Sequence, residues 1–219
     1  MSAHLEKAIN NLLKQLTALS ARAEESVKRS FQALEENNAD LARKVIMEDE
    51  IIDKQEIDIE EECLKILALH QPVAIDLRYL VAVMKINNDL ERIGDLAVNI
   101  SWHTLDILSE PLLKKPVDFQ AMCKLTQSML KRSLDSIVNL DANAAYAILK
   151  EDDEVDHMNA ELSEEIVEEI KRNPEKASVL ILYIHIARHL ERIADHATNI
   201  AEDIIYLTNG EIIRHGKSI

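Results

Sequence analysis

A polar pattern returns after 100 positions, and this repeat constrains the chain more than any other feature. Residues 85–100 read KINNDLERIGDLAVNI and residues 185–200 read HIARHLERIADHATNI. Ile86, Leu90, Glu91, Arg92, Ile93, Asp95, Ala97, Asn99 and Ile100 recur as Ile186, Leu190, Glu191, Arg192, Ile193, Asp195, Ala197, Asn199 and Ile200. Apolar matches alone would describe any two amphipathic helices. A repeated Glu, Arg, Asp and Asn is different, because a solvated face tolerates nearly any polar residue. On a helix, Glu91 and Asp95 stand one turn apart on one face, with Asn99 a turn further on. Leu90, Ile93, Ala97 and Ile100 take the opposite, core-facing side.

A second repeat runs at an offset of 103. Ala39, Ala42, Val45, Glu48, Asp49, Asp53 and Ile59 correspond to Ala142, Ala145, Ile148, Glu151, Asp152, Asp156 and Leu162. The change in offset places a short length difference in the loop between the two repeated stretches. Aromatic residues make up only 3% of the chain, with three glycines and four prolines. So few breakers and aromatics favour long helices over sheets.

The expected fold is all-α: six long helices forming a tandem of two similar three-helix bundles, residues 1–110 and 116–210, related by an internal pseudo-twofold or a near-parallel arrangement. Ser2 can cap the first helix, whose apolar positions Leu5, Ile9, Leu12, Leu16, Leu19, Ala23, Val27, Phe31 and Leu34 step by three or four. Asn37 and Asn38 break it, and Asn38 or Asp40 caps the second. Val45, Ile52, Ile59 and Ile66 give the second helix its seam, and Pro72 stops it. The third runs from about 73 to about 108. Pro111 and Pro116 bracket the expected hinge. The fourth starts near Val117 and carries Met122, Leu125, Met129, Ser133, Ile137 and Leu140. Asp141 opens the fifth and Pro174 ends it. The sixth closes at Asn209-Gly210, after which residues 211–219 should fray.

Four carboxylate pairs at i and i+4 result: Asp49/Asp53, Glu91/Asp95, Asp152/Asp156 and Glu191/Asp195. A like-charged pair at this spacing costs about 0.2–0.5 kcal/mol unless a cation neutralises it. A single such helix is ordinarily a solvated acidic face. Two pairs on antiparallel neighbours can instead converge, and with Asn99 or Asn199 they make a hard, oxygen-rich site suited to magnesium, manganese, calcium or iron. Glu50 and Glu151 are further candidates.

The net charge of −15 excludes nucleic acid and anionic lipid as natural partners, since both require basic patches. Residues 1–10 carry charges where a signal peptide would be apolar, and the longest apolar run, 179–184, is too short to span a bilayer. A cytoplasmic protein without membrane insertion is expected. Cys63 and Cys123 stand alone in helical patterns and read as buried small hydrophobes.

The strings DLRYLVAVMKINNDLERIGDLAVNI and ARHLERIADHATNIAEDI resemble the signature helices of the PhoU family, regulators of phosphate uptake, and the likeness covers essentially the whole chain. It implies surface metal clusters held by Asp49, Asp53, Glu91 and Asp95 in one half and Asp152, Asp156, Glu191 and Asp195 in the other. Iron or zinc clusters are expected first, magnesium or manganese next. It further implies a non-enzymatic negative regulator of phosphate uptake and of the phosphate-starvation response. The implied partners are the ATPase subunit of a phosphate ABC transporter and a sensor histidine kinase, with the chain itself a homodimer. His157, His185 and His196 replace Lys54, Lys85 and Leu96 of the first half, so a histidine recruited to the second cluster would change its metal preference.

Two alternatives stay open. A ferritin-like di-iron carboxylate protein needs facing Glu-x-x-His motifs, but Glu154/His157 is matched in the first half by Ile51 and Lys54. A metal-free scaffold of spectrin-repeat type fits composition and periodicity equally well, and only the repeated acids speak against it.

Overall fold

The computed structural model describes residues 3–110 and 118–210, together with the backbone at 213–214 and 217–218. Ser2, Pro111, Pro116 and Val117, and with them the expected hinge, lie outside the described residues. Six α-helices follow in order: α1 (Ala3–Glu36), α2 (Ala39–His70), α3 (Ala74–Ser109), α4 (Gln120–Asn139), α5 (Ala142–Arg172) and α6 (Ala177–Asn209). A 3-10 turn, Pro174–Lys176, leads into α6.

Helix ends follow local chemistry. Asn38 caps α2, its side-chain oxygen accepting from the Leu41 amide at 3.0 Å, and Asp141 caps α5 by accepting from Asn143 and Ala144. α1 and α4 end alike: the Asn38 amide reaches back to the Ala33 carbonyl, and the Asp141 amide reaches the equivalent Ser136 carbonyl. The residue that turns the chain is left-handed in both, Asn37 at φ 53° and Leu140 at φ 49°. Asn adopts that conformation readily, whereas in Leu it is strained. Leu140 was expected on the fourth helix, but it is the turning residue beyond the last helical position and stands 45% exposed. α4 also begins three residues later than expected, at Gln120, because the Asp118 carboxylate takes the Gln120 amide. Beyond Gly210 (φ 75°) the fraying expected of the tail gives way, at Ile213–Arg214 and Lys217–Ser218, to a two-residue antiparallel pair, which the left-handed glycine permits by turning the chain off the helix axis.

Each group of three packs as a bundle, α1 with α2 and α3, α4 with α5 and α6. α3 packs on α6 and α1 on α4, so one continuous core runs through both units. α2 and α5 lie outermost. In α3, Leu90, Ile93, Ala97 and Ile100 are fully buried, as are Leu190, Ile193, Ala197 and Ile200 in α6. Cys63 and Cys123 are buried free thiols.

The contacts between α3 and α6 fix their relation. Arg78 lies over the Tyr206 ring, Lys85 meets Asp203, and His103 meets His185 and His189. Low numbers on one helix face high numbers on the other, so the pair is antiparallel. Shifting by 100 and exchanging helices turns the 85–203 contact into the 185–103 contact, which is the signature of a pseudo-twofold between the units. The units are also alike within: Arg29–Glu48 ties α1 to α2, and Arg132–Glu151, 103 positions on, ties α4 to α5.

Candidate metal centres

The outermost helix of each unit brings its acids to the central one. α2 runs antiparallel to α3: the Asn87 side chain donates to the Glu56 carbonyl at 2.9 Å, while Asp49 and Ile52 lie over Gly94. A methyl group at Gly94 would approach Asp49 Oδ1 and Ile52 to 3.2 Å, so the absent side chain lets the two helices close up at the acids. Ala194 holds the corresponding place in α6.

Asp49, Asp53, Glu91 and Asp95 thereby come within electrostatic reach of one another. Asp49 is half-buried and its pKa is pushed up to about 6, first by burial and then by Asp53, Asp95 and Glu91. Asp53 is raised by burial, then by Asp95 and Glu50; Glu91 is raised by burial, then by Asp95. The second unit repeats this. Asp152 is pushed up to about 6 by burial, then by Asp195, Asp156, Asp153 and Glu191. Glu191 and Asp195 are also raised, burial first and neighbouring carboxylates next. Both clusters sit at the edge of the core and open to solvent.

Asp49 Oδ1 and Asp152 Oδ1 are each shielded from water without a hydrogen-bond donor, whereas the Arg92 guanidinium lies 3.4 Å from Glu91 Oε2 and donates to Asp95 Oδ2 at 3.3 Å. Carboxylate oxygens in that state are costly unless a cation completes them, and the donor set is one that hard or borderline cations accept. The residues therefore fit a multivalent ion. In their present rotamers no three such side chains converge on a single point among the described residues, so binding would draw the carboxylates inwards.

The neighbouring candidates fall out differently. Glu151 is held by the Arg132 guanidinium and Glu48 by Arg29, at 2.7 Å in the latter case. Glu50 is exposed and acts through its charge on Asp53. Asn99 is exposed, and Asn199 donates to Asp89 Oδ1 at 3.3 Å across the α3/α6 seam. Of the histidines, His157 pairs with Glu161 on the surface, and His196 Nδ1 lies 2.8 Å from Asp89 Oδ1. His185 belongs to the far end of the seam, stacked on His103, so it is not recruited to the second cluster. Glu154 and His157 are both exposed, away from any core site that a ferritin-like reading requires.

Sequence reasoning missed an acidic groove beside the second cluster. It has a volume of about 1040 Å³ and joins Asp152 and Asp195 to Asp89 and Asp203, with Lys85 on its wall. Asp203 is nearly enclosed; burial raises its pKa, and the Lys85 ammonium, 2.6 Å away, opposes the rise. The only sequence signal for it was Lys85 standing where the second half has His185.

The comparisons agree with this geometry. The family model described as PhoU domain matches twice, over residues 16–102 and 119–204. The phosphate-specific transport system accessory protein PhoU homolog 1 of Thermotoga maritima is 34% identical over 210 residues, covering 95% of this chain and 90% of the relative. The PhoU homolog of Aquifex aeolicus is 36% identical over 211 residues, covering 96% of each. The crystal structure of PhoU from Pseudomonas aeruginosa superimposes with a TM-score of 0.91 at 32% identity, over 94% of this chain and 99% of that one. The phosphate transport system regulatory protein PhoU from Streptococcus pneumoniae gives 0.88 at 30% identity, over 96% and 99%. With two domain matches, one on each half, and full-length relatives sharing a third of its residues, this chain belongs to the PhoU family.

Proposed function

We propose that this chain is a negative regulator of phosphate uptake and of the phosphate-starvation response, coupling a phosphate ABC transporter to a sensor histidine kinase. The observation that carries the reading is the end-to-end match to relatives named as accessory proteins of phosphate-specific transport. Among the described residues no helix is long and apolar enough to cross a membrane. On this reading the chain meets the transporter from the cytoplasm, at its ATPase subunit. It would act by binding rather than catalysis, as a homodimer, with multivalent ions such as iron or zinc in the two carboxylate clusters.

The continuous core supports a mode of transmission. Units that share an apolar seam do not swing apart freely; they slide by small shear movements between packed helices. An ion that binds one arrangement of α2 on α3 more tightly than another would shift that equilibrium, and equal affinity would shift nothing. The groups brought together by the acids are those whose mutual repulsion an ion would relieve.

Deletion of the gene tests the regulatory role. In phosphate-rich medium the deletion strain should express phosphate-starvation genes constitutively, and the wild-type gene should restore repression. A version with Glu91, Asp95, Glu191 and Asp195 replaced by their amides should restore it poorly. Normal repression in the deletion strain would refute the assignment.

A further inference from the structure

The pseudo-twofold makes the two ends of the α3/α6 seam equivalent, yet their chemistry is opposite. At one end positions 85, 203 and 89 hold Lys85, Asp203 and Asp89, and the lysine closes on Asp203 at 2.6 Å. At the other end the equivalent positions, 185, 103 and 189, hold three histidines. The His103 ring stands between the other two, its centroid 5.4 Å from that of His185 and 5.3 Å from that of His189. An ion pair in one half is thus replaced by three aromatic nitrogen donors in the other.

Among the described residues, two of those ring nitrogens are left without a partner. His103 Nδ1 and His189 Nδ1 are shielded from water and make no hydrogen bond. Leaving such a nitrogen unpaired in a folded protein is costly, and here two stacked rings each carry one. Stacking alone would be met by any aromatic residue at these positions and would leave no orphaned nitrogen.

We infer that His103, His185 and His189 form a binding site for one borderline divalent ion of the zinc class, on the α3/α6 seam and separate from the carboxylate clusters. Neutral imidazole is the ligand these metals favour over carboxylate-preferring magnesium or calcium. His185 and His189 stand one turn apart on one face of α6, a spacing that lets both rings reach one ion, and His103 supplies a third from the facing helix. His185 is exposed, which opens the site to solvent, while His103 and His189 form its floor. The rings are now stacked, inclined by 20° and 12°, so their nitrogens lie side by side rather than converging. The last torsion of a histidine is soft, and turning the rings brings the nitrogens towards one centre, leaving a fourth position for water or for Asp106, one turn along α3 from His103. An ion held this way cross-links the two three-helix units. This assignment does not depend on the regulatory reading of the chain.

The test uses the full-length, tag-free protein stripped with a chelator and titrated with Zn²⁺, following heat and the imidazole ¹⁵N resonances together. One Zn²⁺ per chain should shift the ring nitrogens of His103, His185 and His189 and leave those of His157 and His196 in place. His185→Gln, an exposed change that spares the core, and His103→Gln should each weaken this binding by about 100-fold or more, beyond the loss of an outer-shell partner. The Asp95→Asn/Asp195→Asn variant should retain it. Unchanged affinity in His185→Gln, unshifted rings at the three positions, or loss of the nitrogen-bound ion in the aspartate variant would each overturn the proposal.

Discussion

Lys85 on α3 and Asp203 on α6 join the two units through an ion pair whose members are unequally exposed, the carboxylate at 9% and the lysine at 50%. The enclosed member sets the energy. Lys85→Met keeps the stem and removes the charge, leaving Asp203 buried without a cation. It should cost about 1–3 kcal/mol in urea unfolding, and Lys85→Met/Asp203→Asn should recover part of that loss. Equal stability of Lys85→Met and wild type would show that Asp203 finds another partner.

Asp49 and Asp152 give the metal-free protein a pH signature. Each has its pKa raised from 3.8 to about 6, so between those values the folded state holds protons that the unfolded chain has released. Stability from these groups therefore falls as pH rises through that window. His189 works the other way: its pKa is lowered to about 4 by burial, then by His103 and nearby arginines, so it costs stability as pH falls below 6.5. Asp49→Asn/Asp152→Asn removes the first effect and leaves the second. Under chelation the variant should melt higher than wild type near neutral pH, with the gap closing towards pH 4. A gap that stays constant across this range would contradict the burial argument.

Gly94→Ala should destabilise although alanine is the better helix former. The gain of about 1 kcal/mol in propensity meets an overpacking cost of about 1–3 kcal/mol, because Ile52 is buried and cannot retreat from the new methyl. Calorimetry should show a net loss of up to about 2 kcal/mol. A clear gain in melting temperature would mean that α2 moves away easily.

At Leu140 the opposite sign is expected. Its left-handed backbone costs about 1–2 kcal/mol relative to a residue that tolerates it, and its side chain is half exposed. Leu140→Asn, which copies Asn37 of the first unit, should raise stability by about 1 kcal/mol in chemical denaturation. No gain would indicate that the Leu140 side chain contributes packing equal to the strain.

Replacing Asp95 and Asp195 together by Asn should lower the iron or zinc bound by metal-replete protein and leave helicity intact, since both lie at the edge of the core. Elemental analysis beside circular dichroism separates the two effects. Unchanged stoichiometry would remove these residues from the ligand set.

Much of this architecture is legible in the sequence because it depends on local signals. Asn38, Asp141, Pro72 and Gly210 mark helix ends by their own backbone chemistry, and the three-and-four spacing picks out Leu12, Leu16, Leu90 and Leu190 as core. The carboxylate pairs are legible for the same reason: i and i+4 share a face wherever the helix goes. What stayed hidden depends on how helices face one another. Asp203 and His103 occupy equivalent positions with unlike residues, so the repeat that exposed Glu91 and Glu191 masked them. Their partners became visible only once α3 was seen to run against α6. Leu140 was counted in the fourth helix because the three-and-four spacing continues to it, and the turning position that ends the helix there holds no glycine or asparagine to mark it.

The α3/α6 seam carries a consequence for the origin of the chain. A surface that meets its own copy about a twofold is an isologous contact, the usual way identical subunits form dimers. A single three-helix unit presenting the α3 face would have paired with a second copy, position 85 of each meeting position 103 of the other. In such a dimer both ends of the contact must carry the same residues. Joining the two copies in one polypeptide released that constraint, and one end now holds a lysine and carboxylates where the other holds histidines.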